Sequence, residues 1–237
     1  LGACLADDMG LGKTLQTIMF IQSIYKDIKK VLVVCPVSIL LNWQNEIEKF
    51  SDMEASIYYG GSRNLPPDKK IILTSYGVMK KEASSKFRDL HFDILVMDEV
   101  QHLKNIRSMG ASAARMISSD FRICLTGTPV ENDLSEFYNI IDLCIPGVWG
   151  DLQYIRTVSN KNSRSVAKRV AKPFLLRRTK KQVLKDLPEK EEHNIFLDFG
   201  EQQRDRYQNT LLEIRKKIET SPRNKRYGEI LKGLLQL

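Results

Sequence analysis

From Leu1 to about residue 145 the sequence repeats one rhythm, a short apolar run followed by a stretch with helical spacing. The runs are Leu1–Ala6, Val31–Cys35, Ile57–Tyr59, Ile71–Thr74, Ile94–Met97 and Arg122–Thr126, and the clearest helical stretches are Lys13–Tyr25 and Ser38–Phe50, with Ser38 the expected N-cap of the second. A continuous apolar run predicts a strand covered on both faces. A series of such strands linked by helices predicts a parallel sheet with helical crossovers, so the expected class is α/β. With 237 residues, 42% of them hydrophobic, the chain has enough apolar material for a sizeable core, which excludes a disordered chain and a disulfide-stapled miniprotein.

The rhythm changes near Pro146. Basic, mostly helical segments follow, broken by Pro173, Pro188 and Pro222. One more strand is expected at His193–Phe199, then a charged helix over residues 202–219 and a last helix from Lys225 onward. The expected organisation is a lobe over residues 1–145, a basic helical segment over 146–191, a further strand of the lobe at 192–199 and a helical protrusion over 200–237. The formal charge is +8, and the basic excess lies after residue 150. The cluster Arg164, Lys168, Arg169, Lys172, Arg177, Arg178, Lys180 and Lys181 reads equally as a track for a phosphate backbone or as a solvated helix face. No apolar run approaches the ~20 residues of a membrane span, and the opening residues carry no basic leader, so a soluble, cytoplasmic segment of a longer protein is expected. Cys4, Cys35, Cys124 and Cys144 form no C-x-x-C pair and are expected to be core residues.

Two stretches carry chemistry. Asp7-Asp8-Met9-Gly10-Leu11-Gly12-Lys13-Thr14 follows an expected strand and opens an expected helix. In that context Gly10 and Gly12 let main-chain N–H groups close on phosphate oxygens, Lys13 reaches the β and γ phosphates and Thr14 is a ligand for Mg²⁺. The general pattern places Gly where this chain has Asp7, so the G-x-G-K-T core by itself is also compatible with a tight helix-entry turn. His91-Phe92-Asp93-Ile94-Leu95-Val96-Met97-Asp98-Glu99 is an apolar strand ending in two carboxylates. Beside a phosphate loop, Asp98 is the expected Mg²⁺-shell residue and Glu99 the group that orients and deprotonates an attacking water.

The motifs are long enough to carry a resemblance. The run Leu5 to Thr17, the box Asp98-Glu99-Val100-Gln101-His102-Leu103-Lys104-Asn105 and the run Leu125-Thr126-Gly127-Thr128-Pro129-Val130-Glu131-Asn132 resemble motifs I, II and III of the Swi2/Snf2 family of helicase superfamily 2, whose motif I carries the Asp found at position 7. Cys35 to Trp43 looks like motif Ia, Thr74-Ser75-Tyr76 like motif Ib, and Pro173 to Lys180 like the block after motif III.

The resemblance implies the first RecA-like lobe of a double-stranded-DNA translocase that uses ATP and Mg²⁺ and displaces or remodels DNA-bound proteins. It implies that Asp8, Met9, Gly10, Leu11, Gly12, Lys13 and Thr14 hold the nucleotide. By the same likeness Gln101, His102, Thr126 and Thr128 couple the nucleotide site to motif III, and Ser38, Asn42, Thr74, Lys104 and Asn105 lie toward DNA. Read from the residues, Ser38, Asn42 and Thr74 are equally capping and turn groups, His102 a locally bonded polar residue, and Trp43 and Trp149 packing residues or base-stacking platforms. The implied partners are duplex DNA, a second RecA-like lobe of the same polypeptide and a DNA-bound protein, with no membrane. Motifs V and VI are not found after residue 200, so the chain alone is expected to bind ATP weakly and hydrolyse it poorly. The implied location is the nucleoid of a bacterium or archaeon, or a eukaryotic nucleus. A strand-separating DNA or RNA helicase and a non-hydrolysing nucleic-acid-binding module are the alternatives.

Overall fold

The computed structural model describes residues 1–61, 63–127, 134–150, 161–183, 191, 193–222 and 226–236. It divides into two compact units, Leu1–Leu187 and Pro188–Leu237.

The first unit is built on a seven-stranded, all-parallel sheet. In chain order its strands are β1 (Gly2–Leu5), β2 (Val31–Cys35), β3 (Ala55–Ile57), β4 (Ile71–Ser75), β5 (His91–Met97), β6 (Ser118–Leu125) and β7 (Leu175–Leu176). They lie side by side as β3-β4-β2-β5-β6-β1-β7. The helices are α1 (Lys13–Ser23), α2 (Leu40–Phe50), α3 (Tyr76–Glu82), α4 (Met109–Met116) and α5 (Leu134–Cys144), followed by a helix at Lys161–Ala171. Side chains alternate across a strand, so Val31, Val33 and Cys35 of β2 join one core with Ile18 and Ile21 of α1 and Trp43 and Ile47 of α2. Leu32 and Val34 join the opposite core, with Met79, Ala114 and Ile141 from α3, α4 and α5. All five residues of β2 and all five of β4 are buried, as the continuous apolar runs require.

Three expectations change. Ser38 is no N-cap, because Val37–Ile39 form a 3₁₀ turn and α2 begins at Leu40 with no side-chain cap. Residues 193–199 form no strand and leave Ile195, Phe196 and Leu197 more than four-fifths exposed. Among the described residues no ladder includes them, and an apolar run outside a ladder leaves its main-chain groups to water. The seventh strand comes instead from Leu175 and Leu176, within the basic segment expected to be mostly helical.

In the second unit, helices Glu201–Thr220 and Arg226–Leu234 pack together where Gly233 meets Ile214. Among the described residues no helix is long and apolar enough to cross a membrane. All four cysteines are buried free thiols, and burial pushes the Cys35 thiol up to about 12, beyond reach of thiolate chemistry near neutrality.

Candidate nucleotide site

Parallel sheets hold ligands at the carboxyl ends of their strands, and the chemistry-bearing residues of this chain gather there. The loop after β1 runs from Ala6 to Gly12. Gly10 and Gly12 have φ of 85° and 73°, the left-handed region in which a side chain is strained. Gly12 is also the residue before α1, a helix with no side-chain cap and no acidic residue in its first turn, so its amino end offers N–H groups and partial positive charge without an anion of the protein's own. The Lys13 ammonium donates to the main-chain carbonyls of Asp7 (2.7 Å) and Asp8 (3.3 Å), which hold it at the loop without neutralising it.

Between β1 and the acidic strand β5 lies β6, whose end carries Thr126 and Gly127. A side chain at Gly127 would stand 3.2 Å from Met9 and 3.8 Å from the Lys13 ammonium, so bare backbone faces the loop there.

Asp98, buried at the end of β5, has both carboxylate oxygens occupied. Oδ1 accepts from the Glu99 amide at 2.8 Å and Oδ2 from the Trp43 indole N–H at 2.8 Å. Burial raises this carboxyl above its ordinary range, with the Glu99 charge adding to the rise, while the Trp43 bond and the Lys13 charge act the other way. The Tyr76 hydroxyl donates to the Asp98 carbonyl at 2.6 Å, fixing the main chain at the same point.

Glu99 sits at φ 51°, ψ 50°, the one non-glycine residue with positive φ among those described. Its carboxylate accepts from the Gln101 side-chain amide, and the Gln101 carbonyl oxygen accepts from the Thr126 hydroxyl at 3.0 Å. A continuous chain of hydrogen bonds thus joins the acidic turn to the end of β6.

Of the residues expected to act together, Lys13, Asp98, Glu99, Gln101 and Thr126 converge. Thr128 lies outside the described residues. His102 is not in the Gln101 chain; its exposed ring lies against Tyr76, with centroids 5.7 Å apart. Thr74 is withdrawn from the DNA-facing set, because it is buried and its hydroxyl donates to the Tyr58 carbonyl at 2.8 Å. Ser38, Asn42, Lys104 and Asn105 are exposed, Asn42 bonded to Glu46 and Lys104 paired with Glu136. Trp43 is buried and Trp149 packs edge-on against Tyr138, so neither is a base-stacking platform.

Sequence reasoning missed the Trp43 hydrogen bond, although a buried indole N–H needs an acceptor and Asp98 is the carboxylate at that end of the sheet. It also missed the partner of Asp7. That carboxylate is fully buried and paired with Arg178, 171 residues away.

The donor set suits a small hard cation. The two oxygen donors the motifs imply, the buried Asp98 carboxylate and the Thr14 hydroxyl, would be too few for a protein cage, and no group of three or more His, Cys, Asp or Glu side chains that could hold a metal occurs among the described residues. Mg²⁺ keeps several waters and takes phosphate oxygens, so a site of this kind fits it.

The SNF2-related domain family matches residues 1–237, the whole chain. The chain belongs to the SNF2-related family. It is 33% identical to an uncharacterised ATP-dependent helicase of Mycoplasma genitalium over 93% of its length, and 34% identical to the human SWI/SNF-related matrix-associated actin-dependent regulator of chromatin subfamily A member 1 over 88%. It spans only 22% of either relative. The Sulfolobus solfataricus SWI2/SNF2 ATPase core in complex with double-stranded DNA superposes with a TM-score of 0.70 at 34% identity, covering all of this chain and 53% of that one. The chain therefore has the expected RecA-like fold, a parallel sheet with flanking helices like that of the archaeal core.

Proposed function

We propose that this SNF2-related chain is the ATP-binding lobe of a DNA-dependent ATPase that moves along double-stranded DNA and displaces or remodels proteins bound to it. The observation that carries the reading is the convergence of Lys13 and its glycine loop with the Asp98–Glu99 turn, joined through Gln101 to Thr126 across the end of the strand between them. In this reading the loop amides and Lys13 hold the polyphosphate. Glu99 orients the attacking water and takes its proton, held by Gln101 in a direction that depends on Thr126. Mg²⁺ bound by Asp98 and Thr14 would neutralise developing charge on the phosphate oxygens. Support for duplex DNA comes from the DNA-bound archaeal core, and support for a second lobe from the length of that core, about twice this chain's coverage. Ser38, Asn42, Lys104 and Asn105 are the exposed candidates for backbone contacts. The protein would work wherever its DNA lies, in a nucleoid or a nucleus.

The deciding experiment measures ATP hydrolysis by the full-length protein without nucleic acid and with single-stranded DNA, duplex DNA or RNA. Strong stimulation by duplex DNA supports the translocase. Preference for single strands or RNA, with strand separation, supports a helicase, and no turnover under any condition supports a binding module.

Trp43 gives a second test. Trp43→Phe keeps a buried ring but removes one of the two donors to the Asp98 carboxylate. Loss of that donor lifts a carboxyl already raised by burial. Positioning groups of this kind carry about 10–100-fold in metal affinity or activity. The Mg²⁺ concentration for half-maximal hydrolysis should rise accordingly, most at the acidic end of the pH range, where a raised carboxyl is protonated first. An unchanged Mg²⁺ dependence would remove Trp43 from the site.

A further inference from the structure

We propose that Arg178 is a positioning residue of the nucleotide site, which gives the phosphate loop its binding shape by neutralising Asp7 and bracing the loop at both ends. The inference rests on the ATP-binding reading above.

Asp7 stands where a general phosphate loop has Gly, next to the position of bound phosphates. A buried carboxylate there is costly in itself and repels an anionic ligand. The structure answers both problems with one residue. Both Asp7 oxygens are engaged by Arg178: Oδ1 accepts from its main-chain N–H at 2.8 Å, and Nε lies 3.2 and 3.1 Å from Oδ1 and Oδ2, with Nη2 completing a fork on Oδ2. Burial alone would lift this carboxyl; the bonds and charge of Arg178 outweigh it and hold Asp7 below the ordinary carboxylate range.

The same guanidinium reaches the far end of the loop. Nη2 donates to Gln16 Oε1 at 2.6 Å, and Gln16 Nε2 donates to the Leu11 carbonyl at 2.9 Å, beside Gly12. The main chain reinforces the brace. The β1–β7 ladder continues beyond its strands through Ala6 N–H to the Leu176 carbonyl (2.7 Å) and Asp8 N–H to the Arg178 carbonyl (3.0 Å), and the Lys180 N–H donates to the Asp8 carboxylate (3.0 Å). The loop is thus held from outside by a segment of the chain that lies far along the sequence. The guanidinium engages Asp7 through two nitrogens while it also reaches Gln16, a forked geometry that the point charge of lysine does not reproduce, so lysine is a poor substitute.

The test uses the full-length protein with Arg178→Ala, Arg178→Lys, Asp7→Asn and the double variant Asp7→Asn/Arg178→Ala. A fluorescent ATP analogue reports affinity, steady-state hydrolysis reports KM and kcat, and far-UV circular dichroism with a thermal melt serves as the folding control. Arg178→Ala should raise KM and weaken analogue binding about tenfold or more, with a smaller effect on kcat, because it leaves Asp7 buried, charged and unpaired. Arg178→Lys should recover little. The double variant, lacking the buried charge, should bind nucleotide better than Arg178→Ala. Unchanged KM in Arg178→Ala, or strictly additive losses in the cycle, would overturn the proposal. If Arg178→Ala does not fold, Arg178→Lys against Asp7→Asn decides: a wild-type KM in both overturns it. Nucleotide binding lost on Lys13→Ala but untouched by Arg178 substitutions overturns this inference alone, whereas a wild-type protein that binds no nucleotide overturns the ATP-binding reading as well.

Discussion

Lys13→Ala is expected to abolish nucleotide binding while leaving the fold intact. The Lys13 ammonium is held by two carbonyls, those of Asp7 and Asp8. Each is a neutral acceptor, so the full charge stays available to a polyphosphate. Hydrogen bonds to charged groups contribute about 1.5–3 kcal/mol each, and a lysine that bridges two phosphates makes at least two, so a loss of about 100-fold or more in affinity follows. The fold has little reason to change. Lys13 is only half-buried at the first turn of α1, and alanine is the better helix former. A titration with a fluorescent ATP analogue, beside a thermal melt, separates the two consequences. Wild-type affinity in the variant would mean that the glycine loop is a tight helix entry and nothing more.

The sequence was most readable where one physical demand dominates. β2 and β4 announce themselves because a strand buried on both faces has to be apolar throughout. The glycines of the phosphate loop are legible because only glycine accepts their backbone angles without strain. What was misread depends on partners rather than on patterns. His193–Phe199 has the composition of a strand but is in no ladder among the described residues, while Leu175 and Leu176 are too few to signal a strand and become one because β1 offers an edge. Thr74 looked like a surface donor because it ends an apolar run, and β4 buries it to its last residue. Asp7 departs from the general phosphate-loop pattern and agrees with the family's motif I, but its counter-charge lies 171 residues away, where no local pattern points to it. Trp43 fits the buried stripe of α2 with Leu40 and Ile47 so well that packing seemed to account for it, and only the position of Asp98 shows what its N–H does.

Glu99→Gln is expected to separate binding from turnover. The position is unusual before any function is assigned, since a left-handed backbone at a non-glycine residue costs about 1–3 kcal/mol and persists only where its surroundings enforce it. At Glu99 the surroundings are the end of β5, the 3₁₀ turn Val100–Leu103 and the hydrogen bonds running through Gln101 to Thr126. They hold a half-buried carboxylate in one direction, which in the proposed reading is toward the attacking water. Glutamine preserves the length of the side chain and an oxygen for the Gln101 amide, so neither the turn nor the Gln101–Thr126 link should break. What disappears is the ability to take a proton from water. General-base catalysis contributes about 10²–10⁴-fold in rate, so kcat in the presence of duplex DNA should fall by that factor, with analogue affinity within a few-fold of wild type. Thr126→Val should lower kcat less, because it removes the bond that aims Gln101 and leaves the base in place. Hydrolysis by Glu99→Gln within a few-fold of wild type would show that the proton goes elsewhere and that the strained turn serves some other purpose.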